Sequence, residues 1–69
     1  MNADEVLTTI LEAVKEKPLT IEDLKRKTET DERAVVEAVK FLEKFGFITT
    51  SENRVSITEA GKEFLKLPV

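Results

Sequence analysis

Apolar residues recur every three or four positions through the first part of the chain. Val6, Leu7, Ile10, Leu11 and Val14 share one side of a helical wheel, and Asp4, Glu5, Glu12 and Lys15 share the other. The spacing predicts a helix over 3–16. Asn2 stands at the N-cap with Glu5 three residues on, and Pro18 stops the segment because the residue before a proline avoids the α region. A second start follows at once: Thr20 is placed to cap, Asp23 to bond back, and Leu19 and Leu24 to clamp the two sides of the cap. This predicts a short helix over 21–27, burying Ile21 and Leu24 and ended by Thr28-Glu29-Thr30, whose side chains compete for helical hydrogen bonds. Thr30 is then expected to cap a third helix, with Asp31 and Glu32 in its first turn. That helix runs to Phe45 and stops at Gly46, the residue type suited to a left-handed C′ position. Val35, Ala38, Val39 and Leu42 form its inner stripe.

Beyond Gly46 the period changes. Phe47-Ile48-Thr49-Thr50 is aromatic and β-branched, and Arg54-Val55-Ser56-Ile57 alternates polar with apolar. With Ser51-Glu52-Asn53 between them, the two runs predict a β-hairpin with a three-residue loop. Thr58 caps a last helix over 59–67, with Ala60, Phe64 and Leu67 on its inward face and Pro68 at its end. Phe41 and Phe45 flank the third helix together with Ala34, and all four phenylalanines, Phe45 firmly among them, are expected in the core. The order is helix, helix, helix, strand, strand, helix: a mainly α fold with a small hairpin. Ahead of residue 45, nothing longer than a bridge near Pro18–Leu19 is extended.

Composition narrows the chemistry. The 69 residues, numbered 1–69, make one domain with a small core. Cysteine, histidine, tyrosine and tryptophan are all absent, which removes thiolate and imidazole metal ligands, the usual general base and most base-stacking platforms. An enzyme is therefore not expected, nor a metal or cofactor. No apolar run approaches the roughly 20 residues that span a bilayer, and no signal-peptide pattern opens the chain, so the expectation is a cytoplasmic protein with no membrane partner. The formal charge of −3 argues against strong non-specific binding to nucleic acid.

The order of elements resembles the winged helix-turn-helix family over essentially the whole chain. Phe41-Leu42-Glu43-Lys44-Phe45-Gly46-Phe47-Ile48 is similar to the junction that ends the recognition helix and begins the wing. Ile57-Thr58-Glu59-Ala60-Gly61-Lys62 is similar to the opening of the helix after the wing in MarR- and PadR-like regulators. The resemblance implies a small transcriptional regulator that contacts double-stranded DNA with its third helix and wing; the same fold also serves as a protein-interaction module.

The outward stripe of the third helix carries Arg33, Glu37, Lys40 and Lys44, with Val36 at its edge. By the resemblance, Arg33 reaches a guanine, Lys40 a phosphate or base edge, and Val36 a thymine methyl, with Asn53 and Arg54 at the wing tip. Thr20, at the start of the second helix, completes the candidate DNA-binding set. The alternative is an ordinary surface ion-pair ladder, Arg33–Glu37 and Glu37–Lys40. Lys25, Arg26 and Lys27 either add positive charge or simply complement the end of the second helix. Asp31 and Glu32 oppose phosphate binding at the start of the third. Leu65 and Val69, left outside the last helix, are the candidate contacts of a homodimer formed through the terminal helix.

Overall fold

The computed structural model describes residues 2–67 and shows four helices and a three-stranded antiparallel sheet, so the chain is mainly helical. Helix α1 spans Ala3–Val14, strand β1 Leu19–Thr20, helix α2 Ile21–Thr28 and helix α3 Glu32–Lys44. Strands β2 (Ile48–Ser51) and β3 (Arg54–Ile57) follow, then helix α4 (Glu59–Lys66). Helix α1 stops two residues short of the expected end, with Lys15 as its C-cap. The extended pair at Leu19–Thr20 joins the hairpin, opposite Val55 and Arg54, so that β3 is the central strand.

Val6, Ile10, Leu11 and Val14 of α1, Leu24 of α2, and Val35, Ala38, Val39 and Leu42 of α3 meet Leu19, Ile48 and Val55 of the sheet in one core. Thr28 is buried with them, and its hydroxyl donates to the Leu24 carbonyl at 2.8 Å, so that no buried side-chain N or O atom among the described residues is left without a partner. Three boundaries differ from the expected ones for local reasons. Asp31, not Thr30, caps α3, its carboxylate accepting from the Ala34 N–H at 2.8 Å. The hairpin loop has two residues rather than three: Glu52 and Asn53 both take positive φ, 50° and 67°, the requirement of the turn whose twist matches the strands. Glu29 ends α2 in the left-handed region at φ 52°, which opens a short connection to α3.

The two stretches that carried the family resemblance are bonded to each other. Gly46, at φ 75°, closes α3: its N–H donates to Glu43 at 2.9 Å and that of Phe47 to Leu42 at 3.0 Å. The Thr58 hydroxyl then donates to the Gly46 carbonyl and accepts from the Gly61 N–H at 3.1 Å, while the Thr58 N–H donates to Phe47. Gly61 makes this approach possible, because a Cβ there would lie 2.2 Å from the Phe47 carbonyl oxygen.

That close docking rotates α4 by one position from the expected face. Gly61 is buried and Leu65 packs against the core, whereas Ala60 is exposed. Phe64 and Leu67, expected inside, are 43% and 61% exposed. Phe41 and Phe45 are also 49% and 55% exposed, and only Phe47 is half-buried. The expectation of a phenylalanine core therefore fails for three of the four. Their neighbours are each other: Phe41 and Phe45 lie 4.8 Å apart between ring centroids, Phe45 and Phe47 6.3 Å, Phe47 and Phe64 4.9 Å. All three separations fall in the range of favourable aromatic pairs.

Candidate nucleic-acid interface

The outer face of α3 begins with Arg33, two residues after its cap. Because Val35, Ala38, Val39 and Leu42 bury the opposite face, Arg33, Glu37, Lys40 and Lys44 all emerge exposed on one stripe. A rise of about 1.5 Å per residue spreads the stripe over roughly 16 Å. The alternative reading, a ladder of Arg33–Glu37 and Glu37–Lys40 ion pairs, does not form among the described residues. Among the described residues, neither Arg33 nor Lys40 nor Lys44 takes part in an ion pair, and Glu37 accepts none.

The cations of α2 behave differently. Lys25 lies 3.4 Å from Glu22 and 3.5 Å from Glu32, bridging the start of α2 to the start of α3. Arg26 pairs with Asp23. Lys25 and Arg26 are thus committed to carboxylates of their own domain, an arrangement that the dipole reading of that basic run did not include. Lys27 instead borders a shallow hollow with Lys17 and Leu19.

Thr20 serves as predicted at the N-terminus of α2. Its hydroxyl accepts from the Asp23 N–H at 3.1 Å, and its own N–H donates to the Asp23 carboxylate at 3.2 Å. The Thr20 backbone N–H, then its hydroxyl, and Arg26 after them, hold the Asp23 carboxyl below its ordinary pKa of 3.8. Strand β1 also ties Thr20 to Arg54 across the ladder. Three of the candidate residues, Thr20, Val36 and Asn53, consequently line one cleft of about 300 Å³ between α2, α3 and the hairpin tip. Arg54 is exposed beside it and forms no ion pair among the described residues.

Sequence reasoning expected Ile21 to be buried and set Glu32 against phosphate binding without placing either in this cleft, and it missed Glu22. The signal for Ile21 was present: a residue just after a cap, beside a two-residue strand, faces the tip of that sheet. The linking of Glu22 and Glu32 through Lys25 needed the angle between two helices, which no spacing supplies. Lys40 and Lys44 do not line the cleft; they continue the stripe toward the phenylalanines. Of the homodimer candidates, Leu65 does not stand outside the last helix but is partly buried against the core, and Val69 lies outside the described residues. No group of three or more metal-ligating side chains occurs among the described residues, and no described helix is long and apolar enough to cross a membrane. No protein-family model matches the chain, and no curated protein matches it.

Proposed function

We propose that the protein is a winged helix-turn-helix module that binds duplex DNA as a transcriptional regulator, with α3 in the major groove and the β2–β3 hairpin as its wing. The observation that carries this reading is the division of charge. Among the described residues, the cations of α3 and the wing tip are uncommitted, while Lys25 and Arg26 of α2 are spent within the domain. Uncommitted cations are the groups that gain from phosphate contact, since they surrender no internal partner. Arg33 suits a guanine edge, Lys40 a phosphate or base edge, and Lys44 a phosphate. Val36 suits a thymine methyl, and Asn53 with Arg54 the adjoining backbone or minor groove. Thr20, which lines the cleft with Val36 and Asn53, suits a backbone contact there. The module has no catalytic role in this reading, needs no metal or cofactor, and works in the cytoplasm as a homodimer that presents two helices to a two-fold site.

A second reading has its own support. Glu37 on the stripe and Glu22 and Glu32 in the cleft repel phosphates, and three exposed phenylalanines suit a protein partner. Titration of fluorescent duplexes at low and moderate salt separates the two. DNA binding predicts an affinity that falls with salt, a slope flattened by Lys40→Ala, and a loss of roughly 1–3 kcal/mol with relaxed base preference in Arg33→Ala. An absence of binding at low salt, unchanged when Asp31 and Glu32 become Asn and Gln, leaves the interaction module.

A further inference from the structure

On the other flank of α3 from the cleft lies a groove of about 360 Å³, walled by α1 on one side and the C-terminal half of α3 on the other. Leu7 and Leu11 form the first wall, Phe41 and Phe45 the second, and Phe47 and Phe64 close the end. Asp4 and Thr8 stand on the α1 wall and are the polar members of the lining. We propose that this groove binds a small organic cation, a quaternary or tertiary ammonium ion carrying an apolar arm. The surface is separate from the one assigned to DNA, so either assignment can fail without the other.

Charge selects the class of ligand. Asp4 is the one ionisable group among the described lining residues, and it takes part in no ion pair among them. It repels a ligand carboxylate, gains nothing from a neutral molecule and is neutralised by a cation. The rings favour the same sign. Each aromatic face carries the negative part of a quadrupole and attracts a cation within about 6 Å of its centroid. Phe41 and Phe45 lie 4.8 Å apart between centroids, Phe45 and Phe47 6.3 Å, Phe47 and Phe64 4.9 Å. A cation seated against this row reaches two rings at once, with Asp4 as counter-charge on the facing wall. Size selects a small molecule. Ligand sites measure about 300–1,000 Å³ and are lined mainly by apolar side chains, with a few polar groups that set orientation. The walls are also fixed in advance. The Phe47 N–H donates to Leu42 at 3.0 Å and its carbonyl accepts from the Thr58 N–H at 3.0 Å. Asn2 caps the turn that carries Asp4, accepting from the Glu5 N–H at 2.9 Å. Phe41, Phe45 and Phe64 are each about half exposed, so an apolar arm laid on them removes that surface from water.

Titration of the full chain with benzyltrimethylammonium, followed by NMR of backbone amides and side-chain methyl groups, tests the site. Shifts are expected at Leu7, Thr8, Leu11 and Phe47, with a dissociation constant on the order of 1 mM for so small a probe. Benzyl alcohol and phenylacetate, neutral and anionic, should each bind roughly tenfold more weakly. Asp4→Asn should weaken the cation roughly threefold and leave benzyl alcohol as it was. Phe41→Leu and Phe45→Leu keep the wall apolar and remove a ring, so each should weaken the cation roughly threefold and the alcohol less. Asp4 is exposed, so its variant keeps the test alive if a phenylalanine variant fails to fold. Four results overturn the proposal: no shift at the groove, equal binding of cation and alcohol, full affinity in Asp4→Asn, or shifts spread over surface carboxylates that spare Leu7 and Leu11. Shifts at the same residues on raising the protein concentration alone assign the groove to a second copy and overturn it as well.

Discussion

The two flanks of α3 are built in opposite ways. On the Val36 side, the capping box of Thr20 and Asp23, the Thr20↔Arg54 pairing and the Lys25 bridge hold the cleft walls in place with polar ties. On the Phe41 and Phe45 side the walls meet through apolar side chains, Leu7, Leu11 and Leu42 with the phenylalanines, and the polar ties are gathered at one end, where Thr58 bonds to Gly46 and Phe47. The domain closes one flank with hydrogen bonds and ion pairs and leaves the other as apolar surface. The orientation of α4 decides how much of that surface shows, since Gly61 and Leu65 turn inward and Phe64 outward.

The largest expected effect therefore comes from the residue that sets this orientation. Gly61→Ala puts a Cβ against the Phe47 carbonyl and the Ile57 side chain, 2.2 Å and 2.7 Å away. Backbone has to move, so a loss of about 2–3 kcal/mol is expected in denaturant unfolding. The aromatic flank should loosen first, because Phe64 rides on the displaced helix. A Gly61→Ala protein that unfolds like the wild type means that α4 does not dock there.

Thr20→Ala tests the opposite flank and should cost about 1 kcal/mol through loss of the α2 cap, seen as a lower melting temperature. Asp23, the other half of the same box, adds a pH signature. Its folded pKa lies below the unfolded value near 3.8, so its contribution is complete above that value and is lost as pH falls through the lowered one. Asp23→Asn should remove this part of the acid destabilisation. Superimposable acid melts for Asp23→Asn and wild type would show that the carboxylate is not held by Thr20.

Elements whose signals are local were legible in the sequence. The caps at Asn2, Thr20 and Thr58, the stop at Gly46 and the inner stripe of α3 all stand where the spacing puts them. The phenylalanines were misjudged because aromatic residues at helical spacing look the same whether another helix covers them or not. For α4 the apolar residues alone pointed to Phe64 and Leu67. The steric freedom of Gly61 overrode them, and that depends on a carbonyl fourteen residues earlier in the chain. The stripe of Arg33, Lys40 and Lys44 was visible, yet its freedom from Glu37 was not, since i,i+4 spacing permits a pair without compelling one.

The smallest effect separates the flanks most cleanly. Glu52 and Glu29 occupy the same left-handed conformation, at φ 50° and 52°, one at the hairpin tip and one after α2. Asparagine tolerates that region better than glutamate, so Glu52→Asn and Glu29→Asn should each stabilise the domain by roughly 0.5 kcal/mol and each remove one negative charge. Their stability gains are matched, and their positions are not. Only Glu52 adjoins Asn53 and Arg54, so only its replacement should strengthen duplex binding and steepen the salt dependence, while Glu29→Asn shifts binding little. Neither lines the aromatic groove, and both should leave its binding of benzyltrimethylammonium as it was. Fluorescence and NMR titrations of the same two proteins measure this. Equal gains in DNA affinity from both variants would mean that net charge, not the wing tip, governs binding, and would remove the hairpin from the interface.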